Sequence, residues 1–276
     1  MSNIYKWDDV EFHKSFQPQD SYIAKIMEAA GDGYSGTKEE ISSLTGIPTG
    51  RTSGKVVPHI RYAKYMGFID YVRKDGVYSL SLTELGNAVM NEDKYLFENV
   101  TKLLAHYFMT DPAEGAPVWS FLYRYLPYHP DESISGKLIS GRFSEIFRHD
   151  AKDNLNVVKN SYTEGFWRSL KLMSWDDDLC INSQVFMREY KFVYAYTLLK
   201  DWEKYKPDER ELTAEQLSDE LFWSRRFGFD STEAMNVLDE IAAEGYIVLN
   251  KQLHPCTVVR AGHSEDIIGR LYELLN

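Results

Sequence analysis

The side chains best suited to chemistry in this sequence are basic residues in a stretch that contains no acid. Between Ile41 and Ile69 there is no Asp or Glu, but four basic residues and a histidine occur: Arg51, Lys55, His59, Arg61 and Lys64. Lysine and arginine are the usual ligands of nucleic-acid phosphates. The stretch therefore predicts a phosphate-binding surface, and the alternative is a set of ordinary solvated charges on a helical subdomain.

A second set of basic residues lies between Ser133 and Met173, where 7 Lys or Arg face 4 acids. Basic and aromatic residues alternate there, which is typical of a surface that follows a nucleic-acid backbone. The aromatic members are Phe143, Phe147, Tyr162, Phe166 and Trp167. Across both sets and the hairpin between them, the predicted DNA-binding residues are Arg51, Lys55, His59, Arg61, Lys64, Tyr65, Arg73, Lys74, Arg142, Arg148, Lys152 and Lys159.

The first basic set lies on elements with clear boundary signals. Thr37 and Glu40 form a capping box that starts a helix, and Gly46 and Pro48 then break it. A second helix is predicted to end at about Tyr65 or Met66. Its core side carries Val56, Ile60 and Ala63 at helical spacing. Arg61, Lys64 and Tyr65 are predicted to point away from that side.

Two β-prone runs, Phe68 to Val72 and Val77 to Leu82, follow this helix and flank Arg73-Lys74-Asp75-Gly76. Asp-Gly between such runs is a strong signal for a tight hairpin turn. Helix, turn, helix and hairpin together predict a winged helix-turn-helix. In that motif the second helix usually enters the major groove of DNA.

The remainder of the chain is predicted to be helical, with a second, more acidic winged-helix-like unit at its end. Thr213 and Gln216 form another capping box, which starts a helix predicted over Ala214 to Trp223. Strands are predicted over Tyr246–Asn250 and Cys256–Arg260, and a closing helix over Glu265 to Leu275. The fold class is therefore mainly α with small β-hairpin wings. The predicted domains are residues 1–126, an N-terminal winged helix-turn-helix with a helical extension, and residues 141–276, a helical domain with the C-terminal unit. A linker from Pro127 to Ser140 is predicted between them.

No catalytic residue is identified in the sequence, so whether the chain is an enzyme is left open. Asp176, Asp177 and Asp178 could bind a metal, but consecutive acids in a turn are usually only solvated. His106 lies beside an apolar helical stripe, and a packed core histidine is a better interpretation than a catalytic base. No metal site or cofactor is predicted, and Mg²⁺ would be required only if the chain nicks DNA.

The overall charge limits the partners of the protein. Its 276 residues carry a formal net charge of -11, which does not suit a protein that coats nucleic acid indiscriminately. Between Lys200 and Gly245 there are 6 Lys or Arg and 13 Asp or Glu, so a protein partner is expected there rather than DNA. The predicted contacts are Asp219, Glu220, Asp239 and Glu240.

Compartment and membrane association follow from composition. Only two cysteines are present, Cys180 and Cys256, which favours a reducing cytoplasm over a disulfide framework. The sequence shows neither a signal pattern nor an apolar run long enough to span a bilayer, so no membrane association is expected. A homodimer is compatible with the sequence.

Several short motifs, taken in their order, resemble the SspB-like family. They are Glu11-Phe12-His13-Lys14-Ser15-Phe16, the helix-turn-helix from Thr45 to Ile69, Leu82-Thr83-Glu84-Leu85-Gly86, Asp93-Lys94-Tyr95-Leu96 and Leu103-Leu104-Ala105-His106-Tyr107. The resemblance covers most of the first 125 residues. Lys14 stands where that family has an acid, and the arginine that the family has just after Phe16 is absent.

The resemblance implies a role in bacterial DNA phosphorothioation or phage defence, with partner proteins and a strand-nicking activity. Three functions are therefore compatible with the sequence. The first is a subunit of a modification or defence complex that binds double-stranded DNA. The second is a winged-helix transcription regulator, and the third is a non-catalytic adaptor that binds only protein.

Overall fold

The computed structural model describes residues 7–50, 54–150, 152–252 and 255–275. Its helices are α1 Trp7–Val10, α2 Asp20–Gly31, α3 Lys38–Thr45, α4 Val56–Tyr65, α5 Glu84–Glu92, α6 Asn99–Met109, α7 Pro117–Arg124, α8 Gly136–Phe147, α9 Lys152–Thr163, α10 Lys191–Tyr205, α11 Ala214–Asp219, α12 Trp223–Arg226 and α13 Ser231–Ala243. Its strands are β1 Ser35–Thr37, β2 Ile69–Lys74, β3 Val77–Leu82, β4 Ser133–Ile134, β5 Met173–Trp175, β6 Leu179–Ile181, β7 Glu211–Thr213, β8 Ile247–Asn250 and β9 Thr257–Arg260.

The strands form three small sheets with the orders β1-β3-β2, β4-β6-β5 and β7-β9-β8. The predicted class, mainly helical with small antiparallel sheets, is confirmed. Among the described residues, no helix combines the length and the apolar character needed to cross a membrane.

The chain divides into two compact units. The first runs to Pro127 and resumes over Ser133–Leu179, and the second combines Tyr128–Glu132 with the chain from Cys180 onward. The predicted division placed residues 141–179 with the C-terminal domain, whereas they pack with the N-terminal part. Part of the predicted linker is also helical. The Ser135 hydroxyl caps the start of α8, because its oxygen accepts a hydrogen bond from the Leu138 amide at 3.3 Å.

The predicted start and end signals of the first unit are found in the structure. Thr37 and Glu40 form the capping box of α3. Gly46 ends that helix in the left-handed conformation, with φ of 70°. Pro58 lies in the first turn of α4, where it costs no helical hydrogen bond, so α4 is regular but only 10 residues long.

The hairpin turns at Asp75 and Gly76, whose φ angles are 51° and 84°. Two successive positive φ values are typical of the type I′ turn that Asp-Gly favours. The register pairs Arg73 with Tyr78 and Tyr71 with Leu80. Strand β1 extends the sheet through β3; this three-residue strand is too short for its sequence to have indicated it.

Two motifs of the family resemblance meet where the start of α5 lies against Gly67 and Phe68, just after α4. Thr83 donates its hydroxyl to the Gly67 carbonyl at 2.6 Å and its amide to the Phe68 carbonyl at 3.0 Å. A Cβ on Gly86 would lie 1.8 Å from the Phe68 oxygen, so no larger residue fits there without a backbone shift. These motif positions therefore serve close packing.

Aromatic side chains form the core of the first unit. Phe12, Tyr62 and Trp119 pack edge to face or at a tilt, and all are at most 2% exposed. Tyr162 stacks on Trp167 with ring centroids 5.0 Å apart. The aromatic residues of the second predicted patch are likewise buried, so they cannot stack on bases and the basic-aromatic surface predicted there is wrong: Phe143, Phe147, Tyr162, Phe166 and Trp167.

The second unit contains the predicted capping box at Thr213 and Gln216. The single helix predicted over Ala214 to Trp223 is wrong, because Phe222 takes a left-handed conformation with φ of 56° and separates α11 from α12. Arg226 of α12 is fully buried and paired with Asp201 of α10. Three 3₁₀ turns replace the predicted closing helix: Ser264–Asp266, Ile268–Arg270 and Glu273–Leu275.

Candidate nucleic-acid interface

The C-terminal half of α4 and the β2–β3 hairpin present basic groups over tyrosine rings in the first unit. We call this the α4–hairpin surface, and it consists of Arg61, Lys64, Tyr65, Tyr71, Arg73, Lys74 and Tyr78. The Lys64 Nζ lies 5.6 Å from the centre of the Tyr71 ring, and the Arg73 guanidinium lies 5.4 Å from that of Tyr78. The two tyrosine rings are 5.8 Å apart.

The sheet geometry explains why these groups lie together. Tyr71 and Arg73 alternate along β2 and therefore share one face of the sheet, and Tyr78 pairs with Arg73 on the neighbouring strand. Val72 points to the opposite face and is 70% exposed. The positive charges are thus held on aromatic rings, where cation–π attraction limits the freedom of the long side chains.

Two tyrosines of this surface, Tyr65 and Tyr78, are protonated at neutral pH. Burial raises the pKa of Tyr78, and the nearby Arg73 guanidinium partly offsets that increase. Burial likewise raises the pKa of Tyr65, against the lowering effect of Arg61. Tyr65 is partly exposed, so its neutral phenol beside the Arg61 guanidinium can donate a hydrogen bond to a phosphate oxygen that the cation attracts, whereas Tyr78 is 4% exposed and only supports Arg73.

Arg61 is more enclosed than its position on the helical wheel predicted. Its guanidinium forms an ion pair with Asp9 of α1. Helix α1 belongs to the segment before α2, residues 7–19, which we call the N-terminal arm. The Arg61 guanidinium also lies 5.3 Å from the centre of the Phe12 ring and donates to the Tyr65 hydroxyl at 3.2 Å. The side chain is 16% exposed, so contact with bases requires the arm to move.

Lys64 is more accessible, with 44% of its side chain exposed and its Nζ 3.0 Å from an Asp70 oxygen. Arg73 and Lys74 at the hairpin are both exposed. An ion pair between exposed groups contributes little to stability, so a phosphate could replace Asp70 as the partner of Lys64 at small cost.

Two other predicted DNA contacts, Lys55 and His59 at the start of α4, pack against other side chains of the first unit. His59 is fully buried: its Nε2 accepts the Gln19 amide at 3.2 Å, and its Nδ1 donates to the Lys55 carbonyl at 2.7 Å. Desolvation lowers the pKa of His59 to about 4, so it is neutral and its prediction as a DNA contact is wrong. The Lys55 Nζ lies 5.4 Å from the centres of the Phe16 and Tyr22 rings.

Two predicted residues cannot be assigned a contact. Arg51 lies outside the described residues. Lys152 is the first residue of α9, and its side chain lies outside the described part of the structure.

The other predicted basic residues of the second patch contact nearby groups or end a helix. Arg142 pairs with Glu145 at 2.9 Å, and Arg148 is the exposed, left-handed residue that ends α8. Lys159 donates to the Asp176 carbonyl at 2.6 Å. It lines a pocket of about 500 Å³ together with Asp150, Asp176 and Asp177, whose carboxylates would repel phosphate.

The described residues bring no three His, Cys, Asp or Glu side chains together as metal ligands. Asp176, Asp177 and Asp178 form the turn between β5 and β6, and Asp178 accepts the Gly136 amide at 3.1 Å.

The histidines of the resemblance motifs also lie in the core. His13 is buried and accepts the Ser15 amide at Nδ1, so its Nε2 donates to Asn154 at 2.9 Å. His106 is fully buried with its Nδ1 2.6 Å from the Tyr162 hydroxyl, which confirms the prediction of a packed core histidine.

Sequence reasoning missed Asp9, Tyr71 and Tyr78 as members or neighbours of the interface. The tyrosines carried a detectable signal, because alternation along a hairpin places Tyr71 beside Arg73. Asp9 carried none, since its partner Arg61 is 52 residues away.

Comparisons with known proteins agree with the resemblance at the level of the fold. No protein-family model matches the sequence, and no significant match was found among curated proteins. Two solved structures share the fold: magnesium ion-bound SspB, with a TM-score of 0.72, and SspB, with a TM-score of 0.71. Each is 14% identical, and the alignment covers 95% of this chain and 87% of that chain. The predicted SspB-like fold is confirmed.

Proposed function

We propose that this chain is the DNA-binding subunit of a bacterial DNA-modification complex of the phosphorothioation type, or of a phage-defence complex. In this proposal α3 and α4 form the helix-turn-helix of a winged unit, and the β2–β3 hairpin is its wing. The SspB-like fold supports the choice of complex, because that family resemblance implies phosphorothioation or defence. The complex would act in the bacterial cytoplasm. The two free cysteines of this chain agree with such a reducing compartment.

The observation that carries the proposal is the α4–hairpin surface. It sets Arg61, Lys64 and Arg73 against the rings of three tyrosines on the two elements that a winged helix uses to bind DNA. Cations held by aromatic rings lose less side-chain entropy when they bind a phosphate. The partly exposed Tyr65 phenol adds a donor beside them.

The burial of α4 indicates which kind of DNA contact dominates. Six of the ten α4 residues are buried, and Arg61 is held by Asp9. Few side chains on this helix can reach base edges, which are the source of sequence discrimination. We therefore expect phosphate contacts from Lys64, Arg73 and Lys74 to supply most of the affinity, with little preference for sequence.

The proposal is tested by measuring the affinity of the purified protein for a labelled 30-base-pair duplex. Reversing the charge at Arg73 and Lys74 to Glu should weaken binding at least tenfold, because two phosphate contacts become repulsions. The control is Arg188→Glu, which changes an exposed residue of the second unit. Equal affinities of the parent and the hairpin variant would overturn the proposal and leave a protein-binding adaptor as the better account.

The strand-nicking activity that the family resemblance implies needs its own test. Supercoiled plasmid should relax in the presence of Mg²⁺ or Mn²⁺ and remain intact with a chelator if the chain nicks DNA. An intact plasmid, both with the protein alone and with its partner proteins, would rule out the nicking activity.

A further inference from the structure

The second unit contains an apolar pocket of about 660 Å³ that the DNA-binding proposal does not use. Helices α11, α12 and α13 contribute to its walls, together with Tyr128 and Pro130. Its partly exposed apolar lining includes Ala214, Ala234 and Met235, and it also touches Trp223, Phe229 and Leu238, which are each at most 2% exposed. The volume falls within the range of ligand sites and exceeds that of any single side chain.

Hydrogen bonds fix the walls of this pocket in place. The Tyr128 hydroxyl donates to the Phe229 carbonyl at 3.1 Å, and the Trp223 indole donates to the Tyr194 carbonyl at 3.1 Å. The Arg225 guanidinium lies 5.6 Å from the centre of the Tyr128 ring and pairs with Asp219. The pocket is therefore preformed, and a ligand need not order it.

The rim of the pocket carries an excess of negative charge. Both of its described cations have carboxylate partners: Arg225 pairs with Asp219, and Lys251 lies 2.7 Å from Asp239. Glu215 and Asp230 also line the pocket. Among the described lining residues, three carboxylates (Glu215, Asp219 and Asp230) thus stand against two cations, a net charge of -1, and Asp239 beside Lys251 makes it -2.

We propose that this pocket binds an aromatic side chain of a partner protein, on a segment in which lysine or arginine flanks that residue. A buried apolar anchor supplies most of the affinity in such contacts, and charge complementarity at the rim selects the partner. The acidic rim repels nucleic-acid phosphate. The pocket also locates the protein contact that the acidic sequence predicted near Asp219 and Asp239.

The probe is a dye-labelled hexapeptide with one tryptophan and one leucine between pairs of lysines. Fluorescence anisotropy measures its affinity for the whole protein. Replacing its lysines by glutamates, or its tryptophan by alanine, should weaken binding about tenfold or more, because the first change removes charge complementarity and the second removes the anchor. Equal binding of all three peptides would overturn the proposal.

Variants of α13 show whether the peptide occupies this pocket. Ala234 lines it, whereas Ala243 lies exposed on the same helix, outside the lining. Ala234→Trp should fill the pocket and weaken the lysine–tryptophan peptide about tenfold, while Ala243→Trp leaves binding unchanged. Undiminished binding by a folded Ala234→Trp protein would overturn the assignment. Affinity for DNA should be the same in both variants, so this test is independent of the DNA proposal.

Two further measurements keep the proposal testable if Ala234→Trp fails to fold. Glu215→Lys changes a rim charge, and should weaken the lysine–tryptophan peptide and strengthen the glutamate version. Cys256 lines the pocket, so in a Cys180→Ser protein the bound lysine–tryptophan peptide should slow the reaction of Cys256 with a maleimide. Unchanged peptide affinities and an unchanged reaction rate would contradict the proposal.

Discussion

At the scale of single residues, two buried neutral histidines make the stability of the first unit depend on pH. Desolvation lowers the pKa of His13 and of His59 to about 4, from an ordinary value of 6.5. Between about pH 4 and pH 6.5, the two histidines are protonated in the unfolded chain but not in the folded protein. Their contribution to stability is therefore fully present above pH 6.5 and is lost as the pH falls toward 4.

We predict that the free energy of unfolding decreases as the pH is lowered from 6.5 to 4, by up to roughly 3 kcal/mol for each of these histidines. Denaturant unfolding at a series of pH values measures the decrease. His59→Gln should flatten this dependence, even though it also lowers stability at neutral pH. His129→Gln, at an exposed position, gives the baseline, and an equally steep dependence in the His59 variant would contradict the assignment.

The ion pair between Asp9 and Arg61 yields a second prediction at this scale. Asp9→Asn removes a carboxylate that competes with phosphate for the Arg61 guanidinium. A partly exposed ion pair is worth about 0.2–1 kcal/mol, so affinity for duplex DNA should rise by about threefold. The matched control is Glu11→Gln, which removes the same charge from the arm but from a pair with Lys14. An unchanged or lower affinity of the Asp9 variant would show that Arg61 does not contact DNA.

These residues also show what the sequence could not predict. His59 and Arg61 are predicted DNA contacts by residue type, but their exposure depends on contacts with distant parts of the chain. His13 meets Asn154 across 141 residues, and Arg61 meets Asp9 across 52. Helical spacing defines the inner face of α4, and it contains no information about an arm that covers part of the outer face.

At the scale of elements, two glycines have open space around them. Substitutions there test the effect of backbone conformation on stability without a change in packing. A Cβ would meet nothing within 4 Å at either Gly76 or Gly141, but Gly76 has φ of 84° in the hairpin turn and Gly141 lies within α8. Gly76→Ala should lower the free energy of unfolding by about 1 kcal/mol, because alanine is strained at positive φ. Gly141→Ala should raise it by about 0.5–1 kcal/mol, because alanine favours the helix.

Denaturant unfolding of the two alanine variants measures both effects. Changes of the same sign in the two proteins would contradict the assigned turn or the assigned helix.

Local signals predicted the elements whose causes are local. The two capping boxes, the Asp-Gly turn and the glycine that ends α3 all depend on neighbours within a few residues. Prediction failed where tertiary contacts decide the outcome. The three residues of β1 are a strand because β3 lies beside them, and Phe222 interrupts a helical pattern with a left-handed residue.

At the scale of the whole molecule, the proposed functions use two surfaces of different charge. The α4–hairpin surface in the first unit is basic, and the pocket of the second unit has an acidic rim. The net charge of -11 is unevenly divided: the first unit has 20 Lys or Arg and 23 Asp or Glu, a net charge of -3, and the second has 11 and 19, a net charge of -8. The sequence composition predicted this division of charge. The division of the chain into two units could not be inferred from the sequence, because packing assigns residues 133–179 to the first unit.

The most direct test of the central claim is the salt dependence of affinity for duplex DNA in a Lys64→Ala/Arg73→Ala protein. Each lost phosphate contact lowers the slope of log affinity against log salt by roughly one. The account predicts a slope about two units shallower than that of the parent, with Arg188→Ala keeping the parent slope. A folded double variant with the parent's affinity and slope would contradict DNA binding by the α4–hairpin surface.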